Sequence, residues 1–360
     1  MARICVVARF LYAQVLMGEA SARYEDECRS MVDANLPMKE SVNRISHILV
    51  IVDPSAAGRQ AAVDKAALLA RSLNATVELL ICDIASALYD HPATRHPHTA
   101  PPSNIQTLDL LETLAAPLRA QGTEVALRII YGKSLPDSLI DYLPDSKADL
   151  VIKDTHHHSF ARRTFLRNTD WHLSRSCTVP LLLTKAKPWS PLPIVMAAVD
   201  PNHAIPQVAA LDSEILSNAA ILAGRLKGDL HVIHTFVPTA FAAVIAAGGR
   251  GTTPECSDAL RAENSYRYSQ IEQFVRAYAV APEHLHVEMG TPVICLSHLV
   301  AKSCADVVVI GASSHGRWHR MIMGSTTAAI LESLPCDILI VRAADKALHN
   351  ATHCAQPACG

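Results

Sequence analysis

The chain lacks an excess of charge of either sign. Its 32 Lys and Arg stand against 34 Asp and Glu, a formal net charge of -2 with a pI near 6.8, so it has no basic field to hold a phosphate backbone or an anionic membrane. Direct nucleic-acid binding is not expected. No run reaches the roughly 18 apolar residues that a bilayer-spanning helix needs, so no membrane association is expected either. The ten cysteines, at 5, 28, 82, 177, 256, 295, 304, 336, 354 and 359, form no CxxC and no paired framework. Several lie in apolar runs, where a thiol packs as a small hydrophobe. That usage fits a reducing compartment, and a cytoplasmic location is expected. Also missing are an HExxH or paired Cys/His frame for a metal and a Gly-x-Ser-x-Gly elbow for a serine hydrolase. Gly132, Lys133 and Ser134 suggest a Walker A loop, but Leu127 stands where its first glycine belongs.

What is present is a globular composition of 50% apolar and 18% charged residues over 360 positions, enough for two cores of ordinary size. Residues 2–22 have the early Arg and the Ala-Ser-Ala end of a signal peptide, yet Arg9 interrupts the apolar stretch. Secretion is therefore not expected, and residues 1–43 are read as an extension without a folding role. Met38 is an alternative start. The tail, 345–360, holds two His and two Cys without the spacing of a zinc module and is read as a mobile end.

The second half of the chain repeats the first. Residues 149–186 align without a gap on 306–343 at a shift of 157, with eight identical pairs that include His158 with His315, Arg163 with Arg320 and Thr169 with Thr326. A period of that length exceeds any solenoid unit and implies duplicated whole domains. The first, 44–186, reads as strands at 47–53, 76–82, 124–130, 149–153 and 180–184. Helices separate them: Val63, Ala66, Ala67, Ala70 and Leu73 recur at helical spacing before Asn74, and others cover 108–118 and 135–142. A proline-rich linker, 187–193, precedes the second domain, 194–344. There the strands fall at 194–199, 230–236, 284–288, 306–310 and 337–342, with a helix through Ile215, Ala219, Leu222 and Leu226 that stops at Gly228.

Apolar strands without polar alternation, separated by helices, require a parallel sheet covered on both faces. The fold class is α/β: two tandem, doubly wound, parallel five-stranded sheets of a Rossmann-like kind. Ligands of such sheets sit outside the carboxyl ends of the strands, where strand order reverses. Asp53, Asp154, Asp200 and Gly311 fall there.

Gly311–Thr326 follows the fourth strand of the second domain and runs toward a helix beginning near Thr326. Glycines allow close backbone approach, and the free N–H groups at Gly324, Ser325 and Thr326 favour an anion. A tight turn with a Ser/Thr cap is the competing reading. The His156–His158 run reads as a solvated or pocket-edge loop rather than a metal site. Asp200, before a proline at a strand end, reads as turn chemistry or a ligand acceptor in preference to a base.

These residues resemble the universal stress protein family, of the HUP-type nucleotide-binding fold, and the tandem arrangement resembles its two-domain E-type members. The resemblance covers about 45–343. Nucleotide-binding domains of that family carry an Asp after the first strand and a Gly-x2-Gly-x9-Gly-Ser/Thr loop after the fourth. Asp200, Gly311, Gly324 and Ser325 match by position, while Ser314 occupies the second glycine's place and Gly316 lies two residues later. In the first domain Asp154 replaces the first glycine, and Arg167 with Asn168 replaces Gly-Ser. The resemblance implies ATP or another adenine nucleotide in the second domain only, with Asp200 near base or ribose and Gly311, Gly324, Ser325 and Thr326 around phosphates. It also implies that the two fifth strands join the halves as an intramolecular pseudo-dimer, and it leaves room for a homodimer. The activity implied is a non-enzymatic role in survival of stress, including DNA damage or starvation. Alternatives are a slow ATPase, or a scaffold with an apolar ligand or none. The related α-hydrolase loop Ser-Gly-Gly-x-Asp-Ser is absent, since the chain reads DPSAAG and DPNHAI after its first strands.

Overall fold

A computed structural model describes residues 45–56, 59–84, 103–132, 134–155, 163–201, 206–239, 254–278, 280–312, 330–331 and 333–342. The expectations for the N-terminal extension, His156–His158, the glycine loop beyond Ala312 and the tail lie outside the described residues.

The first half runs β1 (His47–Ile51), α1 (Ala61–Leu73), β2 (Thr76–Asp83), α2 (Ser103–Ala120), β3 (Val125–Tyr131), α3 (Leu135–Ser146), β4 (Leu150–Asp154), α4 (Arg163–Ser176) and β5 (Leu181–Thr184). The second half runs β6 (Ile194–Ala198), α5 (Pro206–Leu226), β7 (Asp229–Phe236), α6 (Pro254–Val275), β8 (Leu285–Met289), α7 (Pro292–Ser303), β9 (Val307–Gly311) and β10 (Asp337–Val341). All ten strands read from the apolar runs are present. The two five-stranded sheets are continuous with each other, in the order β3-β2-β1-β4-β5-β10-β9-β6-β7-β8. Pairing is parallel within each half and antiparallel at the β5–β10 seam, as the pseudo-dimer requires.

Side chains alternate across each strand, so one strand feeds two cores. Ile48 and Val50 enter the cluster with the α1, α2, α5 and α6 residues, whereas Leu49 and Ile51 enter the opposite one, with those of α3, α4 and α7. This double burial is why the strands carry no polar alternation.

The repeat also reproduces a polar staple at the amino end of the sheet. Asp149 Oδ2 accepts hydrogen bonds from Ser46 N–H (2.7 Å) and His47 N–H (2.9 Å), and Asp306 Oδ2 accepts from the Ser190 hydroxyl (2.6 Å) and Ile194 N–H (3.1 Å). Each aspartate, at the start of β4 or β9, fixes the chain as it enters β1 or β6.

Two details differ from the sequence reading. The left-handed residue ending α5 is Lys227 (φ 56°), the counterpart of Asn74 (φ 55°) after α1. Gly228 is needed for a different reason, since a Cβ there would lie 1.9 Å from the Pro193 carbonyl oxygen. The reading also misses α6, because its periodicity is weak: Cys256, Ile271 and Val275 are its buried apolar residues among those described.

The seam encloses a buried ion pair. Lys65 Nζ on α1 lies 2.6 Å from Asp337 Oδ2 at the start of β10, with side chains 6% and 2% exposed, and it also donates to the Lys185 carbonyl (2.7 Å). Lys185 N–H (2.8 Å) and Trp189 Nε1–H (2.7 Å) donate to the same carboxylate. The proline-rich segment after β5 is thereby fastened to the second half. Burial pushes the Asp337 carboxyl up, and Lys65 opposes the rise. Removing one partner of such a pair strands the other charge, so Lys65→Met is expected to lower stability by about 3–5 kcal/mol in denaturant unfolding.

Candidate functional site

In each half the strand order reverses between the first and fourth strands, so ligand crevices lie at the carboxyl ends of β1 and β4 and of β6 and β9. The halves build these two crevices differently.

In the first half, Asp53 follows β1 and is gripped by Gln60, the residue before α1. Gln60 Oε1 accepts the Asp53 N–H (3.0 Å) and Nε2 donates to the Asp53 carbonyl (2.9 Å). Opposite, Asp154 at the end of β4 is 5% exposed. Its Oδ1 accepts from Ala62 N–H (2.7 Å), in the first turn of α1, and from the Thr184 hydroxyl (2.6 Å). A helix N-terminus attracts anions through its free N–H groups and dipole. Here the anion is the protein's own carboxylate. Asp154 Oδ2 is buried without a hydrogen-bond partner. Lys153 Nζ donates to the Asp154 carbonyl (2.8 Å) and pairs with Asp170 (2.7 Å).

In the second half Gly311 replaces Asp154, at the shift of 157 that also relates β4–β5 to β9–β10. A Cβ on Gly311 would lie 2.7 Å from Leu211 Cδ2 and 2.9 Å from Ile215 Cδ1, so the space that glycine frees is taken by α5. Asp200, two residues beyond β6, has a side chain 30% exposed, with Oδ1 3.6 Å from Nδ1 of the buried His234 on β7. Its N–H donates to Asp212 Oδ1 (3.0 Å) from α5, the part that Gln60 plays in the first half. Asp212 is 4% exposed and its Oδ2 has no partner. Burial pushes its carboxyl up to about 7; the Asp200 N–H opposes the rise and the Asp200 charge adds to it.

Of the residues expected at the site, Asp200 and Gly311 are therefore described and lie at adjoining strand ends. Ser314, Gly316, Gly324, Ser325 and Thr326 lie outside the described residues. Asp212 was not singled out. The signal for it was available: a carboxylate on the helix stripe of Ile215, Leu216 and Ala219 that otherwise carries apolar side chains.

A polar cluster at the other end of the sheet is a separate feature. In the first half Glu78 on β2 binds His47 (3.1 Å), Arg128 (3.2 Å) and the Tyr142 hydroxyl (2.6 Å). The strand registers set His231 at the position of Glu78 and His286 at that of Arg128. His231 Nδ1 lies 3.0 Å from His286 Nε2, and its ring stacks on His284 at 4.0 Å. Among the described residues, no group of three or more His, Cys, Asp or Glu is arranged to hold a metal.

Comparison with known proteins matches this fold to a family. The model described as "Universal stress protein family" matches residues 44–185 and 196–342, the two halves in tandem. The chain belongs to the universal stress protein family. It is 22% identical over 227 residues to universal stress protein E of Escherichia coli (strain K12), covering 61% of this chain and 69% of that one. Two solved structures are similar over 83% of this chain and 93% of theirs. One is a universal stress protein from Pseudomonas aeruginosa UCBPP-PA14 (26% identity, TM-score 0.60). The other is a functionally unknown protein from Pseudomonas aeruginosa PAO1 (25%, TM-score 0.61). Membership assigns this universal stress protein a stress-related role. No helix among its described residues is long and apolar enough to cross a membrane.

Two outcomes follow. Asp154→Ala would orphan the Ala62 N–H and the Thr184 hydroxyl, and the expected loss is about 1–3 kcal/mol in denaturant unfolding. Burial, with the neighbouring His284 and His286, pushes His231 from 6.5 down to about 4. The unfolded chain then binds more protons than the native one between those values, so this residue lowers stability as pH falls from about 6.5 to 4. A His231→Gln variant should show a smaller drop over that window than the wild type when unfolding is followed by pH.

Proposed function

We propose that this universal stress protein is a cytoplasmic, non-enzymatic stress-response protein that binds one adenine nucleotide, such as ATP, in its second half and none in its first. The observation that carries this reading is the contrast at position 154/311. The first crevice already holds a carboxylate on the α1 N-terminus, where a phosphate would meet like charge. The second has a glycine and a part-exposed Asp200 in the corresponding places. Asp200 would face base or ribose, while Gly311 leads into the loop of Ser314, Gly316, Gly324, Ser325 and Thr326, whose N–H groups would take the phosphates.

The fifth-strand edges are spent inside the chain, so any homodimer would use another surface. Calorimetry with ATP is expected to give one site per chain, lost in Gly324→Asp and kept in Asp154→Ala. Two sites, or no heat on folded protein, would overturn the reading. ATP-dependent phosphate release that vanishes in Gly324→Asp would instead favour the ATPase alternative.

A further inference from the structure

We propose that the histidine cluster on β7 and β8 is an acid-released latch: it ties the edge strand β8 to the sheet while a single proton lies between two facing imidazole nitrogens, and frees that strand once both rings are protonated. The device is independent of the nucleotide reading.

The cluster sits where it can act on one strand. β8 ends the strand order and is held by β7 alone, from Val232–Leu285 to Phe236–Met289. His231 Nδ1 on β7 lies 3.0 Å from His286 Nε2 on β8. Their ring centroids are 5.3 Å apart, with planes 16° from parallel. That separation is the N–N distance plus one ring radius at each end, so the two nitrogens meet head-on in nearly one plane. An N–H of one ring must then face the lone pair of the other. One ring can carry an extra proton and still donate, but with both charged two N–H groups would face each other. His284, in the turn Pro282–His284 that leads into β8, stacks on His231 at 4.0 Å and would add a third charge.

Among the described residues, the other charged groups acting on the pair are Asp229 on β7, Glu288 on β8 and Lys302 on α7. Both carboxylates are exposed, so solvent screens them. β6 offers Ile194 where β1 has His47, and α7 offers Leu299 where α3 has Tyr142. Burial, with His284 and His286, lowers His231 to about 4. Burial lowers His286 as well; Glu288 opposes the fall, and His284 and Lys302 add to it. Rings released by an opened β8 take up protons that the closed pair refuses, so falling pH favours opening.

The first half shows the opposite response. Burial works against the Glu78 carboxylate on β2, but its bonds with His47, Tyr142 and Arg128 more than offset that, and its pKa is lowered. A carboxylate facing Arg128 on β3 keeps its pairing until it is itself protonated, so mild acid leaves the β3 edge closed. Acidity therefore distinguishes the two ends of one sheet.

The test is backbone hydrogen exchange between pH 7 and 4.5, corrected for the intrinsic pH dependence of amide exchange. Opening of Leu285–Met289 is expected to rise roughly tenfold per pH unit as pH falls from 6.5 toward about 4, while β3 and the central strands β1 and β4 stay protected. A His231→Glu, His286→Arg double variant, which copies the Glu78–Arg128 pair, is expected to flatten that rise. Loosening of all strands together, a β8 indifferent to pH, or a double variant as steep as the wild type would overturn the proposal. Should the double variant fail to fold, ring-nitrogen resonances of the wild type decide: titration of His231 and His286 that coincides with β8 opening supports the latch, and full protonation of both rings with β8 still protected overturns it.

Discussion

The antiparallel pairing of β5 with β10 is the contact on which the rest of the molecule depends. Leu181, Leu182 and Leu183 face Ile340, Leu339 and Ile338, all at most 4% exposed. Each strand is apolar on both faces and has a single parallel neighbour in its own half. Left alone, it would present a row of unpaired N–H and C=O groups together with bare hydrocarbon. Meeting the other half satisfies both demands at once. The Lys65–Asp337 pair then makes the seam asymmetric, for the repeat positions matching these residues are Asn218 and Pro180. A buried pair gains little net stability over packed hydrocarbon. What it supplies here is a register: the carboxylate is met by α1, by the Lys185 backbone and by Trp189, so one arrangement satisfies all four groups.

Because the seam stabilises both halves together, neither half needs a ligand to complete its core, and the two crevices have been free to diverge. The first has become internally bonded: Gln60 closes on the Asp53 backbone, and Asp154 joins β4 to α1 and β5. The second keeps a glycine at the end of β9, but α5 rather than a phosphate uses the missing Cβ. A glycine at a strand end can thus be required by helix packing instead of ligand approach, and sequence position alone does not separate the two.

Most of the architecture was legible in the residues. Runs such as HILVI and VVVI, buried on both faces, have no other stable home than the middle of a covered parallel sheet. The 157-residue shift carried β4 and β5 onto β9 and β10 without error, since no insertion lies between them. Legibility failed where a signal was local and small. Most of α6 faces solvent, so its apolar period is faint. Gly228 looked like a helix stop and is instead a point of close contact with Pro193. Lys65 and Asp212 each sit on the buried stripe of an amphipathic helix, and a charge there is the trace of a tertiary partner that pattern reading averages away.

Polar satisfaction distinguishes the two ends of the sheet. At the amino end, the second half has replaced the Glu78–Arg128–Tyr142 network with stacked histidines, yet none of these residues carries a buried atom without a partner. One self-contained network was exchanged for another, which is how structural polar clusters change. At the carboxyl end, Asp154 and Asp212 each retain a buried oxygen with nothing bonded to it. Asp154 has two donors on its other oxygen and serves the fold as an internal anion. Asp212 has one donor, beside an Asp200 side chain that reaches solvent.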